Sequence, residues 1–98
     1  MTNLSIRKLK VLVAVFDNNF VITNAALDLN VSHANVSVTM HRLANVLHFE
    51  PFVYSDVKIK GRRSRIVGLT KKGNELLSYA AEIVECDQLI KEIEKDET

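Results

Sequence analysis

Two groups of side chains in this sequence have the types and spacing to do chemistry. The first is His33, Ala34, Asn35, Ser37, Val38, His41, Arg42 and Asn45, headed by Ser32. At 100° per residue, Ala34, Val38, His41 and Asn45 share one side of a helix, flanked by Asn35, Ser37 and Arg42. That face is short, polar and free of carboxylates, whereas a solvated helix face usually mixes Glu with Lys. Such groups suit hydrogen bonding to base edges and phosphates, from which acids would be repelled. The plainer alternative is an ordinary amphipathic helix. The second group is Lys58, Lys60, Arg62, Arg63 and Arg65, clustered around Gly61. These five cations could neutralise a polyanion, or could simply solvate a loop.

Other chemistry finds little support. His33, His41 and His48 are eight and seven residues apart, not the i, i+4 pair of a helical zinc site, and the single cysteine, Cys86, lies far off in sequence. Neither a metal site nor a cofactor is expected. There is no Gly-rich phosphate loop, nucleophile motif or pair of carboxylates in a credible cleft, so an enzyme is not expected either.

The first group needs a helix to present it, and residues 31–47 provide one. Ser32 is a good N-cap. Val36, Met40, Leu43 and Leu47 recur at steps of four, three and four, and fall within about 60° of arc as one narrow apolar stripe. Just before it, Thr23-Asn24-Ala25-Ala26-Leu27-Asp28-Leu29 reads as a short helix capped by Thr23. Only Asn30 and Val31 separate the two, and Ala-Ala allows a close crossing. The pair is a helix-turn-helix.

A first helix over Leu4–Phe16 supports that pair, with Leu9, Leu12, Val13 and Phe16 as its core face. Arg7, Lys8 and Lys10 at its start could touch a nucleic-acid backbone, but surface solubility is the expected role. Asp17-Asn18-Asn19 is a turn. Pro51 ends helical structure after the second group's predecessor helix, because it disfavours a helical Glu50. Phe52–Lys58 and Ser64–Leu69 are strand-like, and 59–63 between them is a hairpin tip. The second group of cations therefore sits on a projecting wing, suited to a minor groove.

These residues resemble the amino-terminal domain of LysR-type transcriptional regulators. The resemblance rests on Thr23-x-Ala25-Ala26-x-x-Leu29, Val31-Ser32, Ser37, Arg42-Leu43, Phe52 and Leu69-Thr70-x-x-Gly73, and covers roughly residues 4–80. It implies a winged helix-turn-helix that binds double-stranded DNA in a bacterial cytoplasm, nucleoid-associated when bound. The family commonly has Gln and Pro at His33 and Ala34, Arg at Val38, and Gly at His48. With His at 48, the helix must end in a left-handed residue or in some other way. Family members carry a large effector-binding domain after this region, and a chain ending at Thr98 is expected to act without one.

Thr70 can cap a last helix reaching about Lys95. Leu77, Ala80 and Val84 can face the domain's core. Leu76, Tyr79, Ile83, Cys86, Ile90 and Ile93 follow alternating steps of three and four, an a/d seam for a second helix. A fraying tail is the bland reading, and a homodimerisation helix the preferred one.

The formal net charge of +1 hides a division. Residues 1–74 hold eleven Lys/Arg against four Asp/Glu, a net +7; residues 75–98 hold two against eight, a net −6. Since fields are screened beyond about 8–10 Å, the local +7 is what a polyanion would meet. One cysteine excludes an internal disulfide and suits a reducing cytosol. Neither a signal peptide nor an apolar run of membrane-spanning length is apparent.

The expected architecture is mostly α with a small β-hairpin: a winged DNA-binding domain over 1–74 and a dimerisation helix over 75–98, forming one compact unit. Thr23, Ser32, Ser37, Arg42 and the wing cations would position DNA. His33, Ala34, Asn35, Val38 and His41 would read bases. The expected function is sequence-specific regulation of transcription as a homodimer. The alternative is a winged-helix protein that modulates another regulator by heterodimerising through its last helix.

Overall fold

The computed structural model describes residues 4–55 and 65–95. Within them the order is α1 (Ile6–Asp17), α2 (Ile22–Leu29), α3 (His33–Leu47), β1 (Phe52–Tyr54), β2 (Ile66–Leu69) and α4 (Lys71–Lys95). This is the expected winged helix-turn-helix with a long final helix.

Ser5 starts α1, its hydroxyl accepting the Lys8 N–H at 3.4 Å. The helix lies at the centre of the fold, packed against α2, α3 and α4. Contact with helices on more than one side widens its buried arc to Leu9, Val11, Leu12, Ala14 and Val15. The expected stripe is corrected at its end: Phe16 is 42% exposed and meets the Phe20 ring edge-on, with centroids 6.0 Å apart. The turn to α2 uses two consecutive left-handed residues, Asn19 and Phe20. Asn18 ties it down by donating from its amide to the Ala14 carbonyl and to the Asp28 carboxylate, both at 2.8 Å.

Thr23 does not cap α2. The cap position falls two residues earlier, at an extended Val21 that supplies no side-chain hydrogen bond, and the helix begins at Ile22. Half-buried Ile22, packed on the core, sets the entry of the chain instead. Ala25 and Ala26 are buried and permit the close crossing expected of them. Asn30 then adopts the left-handed conformation, and the Val31 N–H bonds the Ala26 carbonyl at 3.0 Å. Asn tolerates that conformation better than most residues, so the two-residue turn costs little.

Ser32 caps α3 as expected, accepting the Asn35 N–H at 3.0 Å. Val36, Met40 and Leu43 are buried and Leu47 packs against them. Thr39 joins them on the inner side. At the far end His48 is left-handed, with φ 63°, and its N–H bonds the Ala44 carbonyl at 3.0 Å. A non-Gly residue in this region carries strain of about 1 kcal/mol or more.

The strands are antiparallel, pairing Phe52 with Leu69, Val53 with Gly68 and Tyr54 with Ile66. Of the strand-like runs expected at 52–58 and 64–69, residues 56–58 and 64 lie outside the described residues. Phe52 is 1% exposed and belongs to the core. The base of the hairpin meets the start of α4 through several polar contacts. Thr70 donates its hydroxyl to the Glu50 carbonyl at 2.8 Å, and the same oxygen accepts the Gly73 N–H at 3.0 Å. The Thr70 N–H bonds the Pro51 carbonyl at 3.0 Å. Gly73 is required here, because a Cβ would overlap that Pro51 carbonyl. Lys72 adds a cation over the Phe49 ring, 5.6 Å from its centroid.

Helix α4 has 25 residues, about 37 Å at 1.5 Å per residue. Ala80 is fully buried against the body, with Leu77 and Val84 half-buried beside it. Beyond them the helix runs out from the body, which gives the molecule a longest extent of 55 Å against 29 and 20 Å.

Candidate nucleic-acid interface

The exposed side of α3 is bordered by a different element on each flank. On one flank lies the first turn of α1. Arg7 and Lys8 line a concavity of about 440 Å³ with Ser32, Ala34, Asn35, Val38 and Arg42. Three cations thus surround the amino-terminal half of α3, and no acid lines the same depression. Val38 stands at its edge, 46% exposed. The Ser32 hydroxyl accepts the Asn35 N–H and keeps its own proton to donate outward.

On the other flank lies the hairpin. His33, Ser37 and His41 face Tyr54, Arg65 and Ile66 across a cavity of about 580 Å³ whose floor includes Ile22 and Met40. Arg65 is the described member of the wing cations, and its carbonyl accepts the Ser55 N–H at 2.7 Å, extending the strand pairing by one step. Lys58, Lys60, Arg62 and Arg63 lie outside the described residues.

The sequence-derived site residues therefore divide. Ser32, Ala34, Asn35, Val38 and Arg42 come together on the α1 side; His33, Ser37, His41 and Arg65 come together on the hairpin side. Thr23 lies in the first turn of α2, exposed, and lines neither depression. Arg7 and Lys8, for which the sequence leaves a nucleic-acid contact as the less favoured alternative to surface solubility, stand beside α3. Their signal was weak, since only the crossing of α1 over α3 reveals the proximity. Lys10 has a third role: its ammonium pairs with the Asp87 carboxylate of α4 at 2.9 Å. Lys91 reaches the same oxygen at 3.1 Å. Hydrogen bonds from Lys10 and then Lys91 hold the Asp87 carboxyl below its ordinary range, against a smaller opposing effect of burial.

The seam on α4 is mostly uncovered. Tyr79, Ile83, Ile90 and Ile93 are 67%, 43%, 57% and 72% exposed, and Cys86 is exposed with them. Leu76 departs from the expectation, being half-buried against the molecule's own core. Leu89, which the a/d pattern leaves out, is 51% exposed and broadens the apolar strip. Among the described residues no group of three or more His, Cys, Asp or Glu could hold a metal ion. No described helix is long and apolar enough to cross a membrane.

No family model matches the chain, and no curated protein matches its sequence. Solved structures do. Full-length OxyR C199D from Pseudomonas aeruginosa superposes with a TM-score of 0.76 at 22% identity, over 95% of this chain and 28% of that one. The CbnR DBD in its DNA complex gives 0.72 at 24% identity, over 94% of this chain and 95% of that domain. The BenM DBD in its complex with benA site 1 DNA gives 0.69 at 22% identity, over 94% of each. The chain spans little more than a quarter of full-length OxyR, 28%. At these identities the likeness is one of architecture, and it extends over nearly the whole chain: this is the winged helix-turn-helix fold found at the amino terminus of LysR-type regulators.

Proposed function

We propose that the protein binds double-stranded DNA and regulates transcription, with α3 in the major groove. The observation that carries this reading is the acid-free exposed face of α3, flanked by Arg7 and Lys8 from α1 and by Arg65 from the hairpin. A helix of this size fits the major groove, where Asn35 suits a bidentate contact to adenine and Ala34 or Val38 suits a thymine methyl. His33 and His41 offer ring nitrogens to base edges. Ser32, Ser37, Arg42, Arg7 and Lys8 would hold phosphates, and the wing cations would follow the neighbouring minor groove. The DNA-bound CbnR and BenM domains share this architecture, which is consistent with such a role. Two heads joined through α4 would read two half-sites, in the simplest case as a homodimer.

A salt series of binding to random-sequence duplex DNA tests the proposal. Affinity should fall linearly on a log–log plot, with a slope of about −0.9 per phosphate neutralised. Replacing Arg7, Lys8 and Arg42 by Ala should flatten that slope by about 2.7 in total. No measurable binding at 50 mM salt would overturn the DNA-binding reading, and a slope unchanged by the triple replacement would remove the α1 flank from the interface.

A further inference from the structure

The two depressions beside α3 differ in what lines them. The one on the α1 side is polar or cationic throughout, apart from Ala34 and Val38. The larger one, on the hairpin side, divides by exposure. His33, His41 and Arg65 are exposed, and with Ser37 they belong to the surface offered to DNA. The less exposed part is apolar or aromatic: Phe20 and Ile22 from the start of α2, Met40 from α3, Tyr54 and Ile66 from the strands. A duplex gains little from such a lining, because phosphates and sugars are held by cations and hydrogen-bond donors, and bases by polar groups and the thymine methyl. The cavity, about 580 Å³, is far larger than a methyl group needs. An apolar recess of this size with a few polar groups on one side is the usual make-up of a small-molecule site. Charge then selects the ligand. Arg65 supplies a cation, and among the described residues no Asp or Glu lines the cavity.

We propose that the cavity between α3 and the hairpin binds a small organic carboxylate with an apolar body, and that its occupant excludes duplex DNA. The head lies against Arg65 and Ser37, and the body covers Ile22 and Met40. A bound carboxylate takes up groups that phosphates would use, and it sets a like charge against the approaching backbone. By linkage, DNA weakens the ligand to the same degree. The site rests on the cavity alone, whereas the antagonism rests on the DNA-binding reading above.

The test titrates the full chain with sodium octanoate and follows the backbone amides by NMR. Amides of residues 20–22, 33, 37, 40 and 65–66 should move, with half-saturation at about 1–10 mM for a ligand of about ten non-hydrogen atoms. Acetate (the head without the body) and octan-1-ol (the body without the head) should move them far less at equal concentration. Arg65→Gln, at an exposed position, should raise the half-saturating concentration about fivefold. Val21→Asp places a carboxylate in the lining and should raise it at least about tenfold. Asp also suits the extended cap position that Val21 occupies before α2, so circular dichroism should show unchanged helix content. Duplex affinity is then measured with octanoate at about three times its half-saturating concentration, against acetate at the same ionic strength, and should fall about fourfold. No amide shift, or shifts confined to α4 beyond residue 83, would overturn the site. Equal shifts with octan-1-ol, or half-saturation unmoved by both variants, would overturn the carboxylate. Octanoate bound in the cavity with duplex affinity unchanged would overturn the antagonism. Absence of duplex binding even without octanoate would overturn the DNA-binding reading and the antagonism with it, while the amide shifts still decide the site.

Discussion

Residues 1–74 carry eleven Lys and Arg against four acids, while residues 75–98 carry two against eight. Packing divides near the same place. Leu12, Val15, Val36 and Leu43 have no exposed surface, whereas Tyr79, Ile90 and Ile93 each keep more than half of theirs. The body closes its own core and carries the excess of cations. Beyond Val84, α4 leaves Leu89, Ile90 and Ile93 exposed. A long helix can persist in this state because its first half is anchored at Thr70, Gly73 and Ala80 and held by the Lys10–Asp87 pair. Stability therefore resides in the body, and the tail is left with an uncovered apolar strip. Substitutions in one should leave the other's property intact.

The largest expected contrast comes from truncating one aliphatic side chain in each region. Leu43→Ala removes a fully buried group and should cost about 2–5 kcal/mol, from lost transfer energy and the cavity left behind. Ile93→Ala removes one that is 72% exposed and should change monomer stability by about 0.5 kcal/mol or less. Urea denaturation of dilute protein measures both. Comparable losses would mean that the tail is folded into the body in solution. Conversely, Ile83→Asp should leave dilute stability nearly unchanged and eliminate association, since dimerising would bury an unpaired carboxylate. Sedimentation velocity that gives the same mass for this variant and the wild type would break the division of labour.

Within the body, the two flanks of α3 should differ in kind. Replacing Lys60, Arg62 and Arg63 by Ala should weaken specific and random DNA nearly alike, with about 0.9 lost from the salt slope for each phosphate contact removed. If an Arg instead enters a narrow groove, the loss should be greater on A·T-rich flanking sequence. Asn35→Ala should cost about 1–3 kcal/mol only where the preferred base is present. Equal losses for Asn35→Ala on cognate and random duplexes would demote α3 from reading bases to positioning.

How far the sequence made this visible depended on the range of the interaction concerned. The Ser32 cap and the stripe of Val36, Met40 and Leu43 are local, and both are present. So is the Thr70 cap, with Gly73 three residues on. Thr23 misled because the helix start is governed by the left-handed Asn19 and Phe20 and by burial of Ile22, not by the best capping side chain nearby. Phe16 misled because α1 is gripped by several helices, so its buried arc is wider than one stripe and its end overhangs the core. The nearness of Arg7 and Lys8 to α3, and the pairing of Lys10 with a residue 77 positions later, are products of tertiary packing. No pattern within α1 encodes them. Of the wing cations, Arg65 falls within the described residues, next to the paired strands.

The smallest expected effect lies at the joint between body and tail. Asp87 titrates below the ordinary carboxylate range because Lys10 and Lys91 favour its charged form. In the unfolded chain its pKa is about 3.9. Above that value the pair contributes its full stabilisation. As pH falls from there through the lowered folded value, the carboxylate is protonated and the contribution is lost. Both partners keep contact with water, the Asp87 side chain at 18% and Lys10 at 30% exposure, so solvent screening keeps the effect small. Asp87→Asn should therefore lower the melting temperature slightly at pH 7, and the difference between the two proteins should shrink progressively as the solution is acidified below about pH 4. Lys10→Ala should reproduce most of this, since Lys10 is the larger cause and the member that crosses between helices. Lys91→Ala should do less, because an i, i+4 pair on α4 does not tie the tail to the body. Amide exchange gives the sharper readout: loss of the Lys10 contact should speed exchange beyond residue 84 while leaving α3 protected. Uniform acceleration across both helices would show that the pair stabilises the fold as a whole, and that α4 is less separable from the body than its exposure suggests.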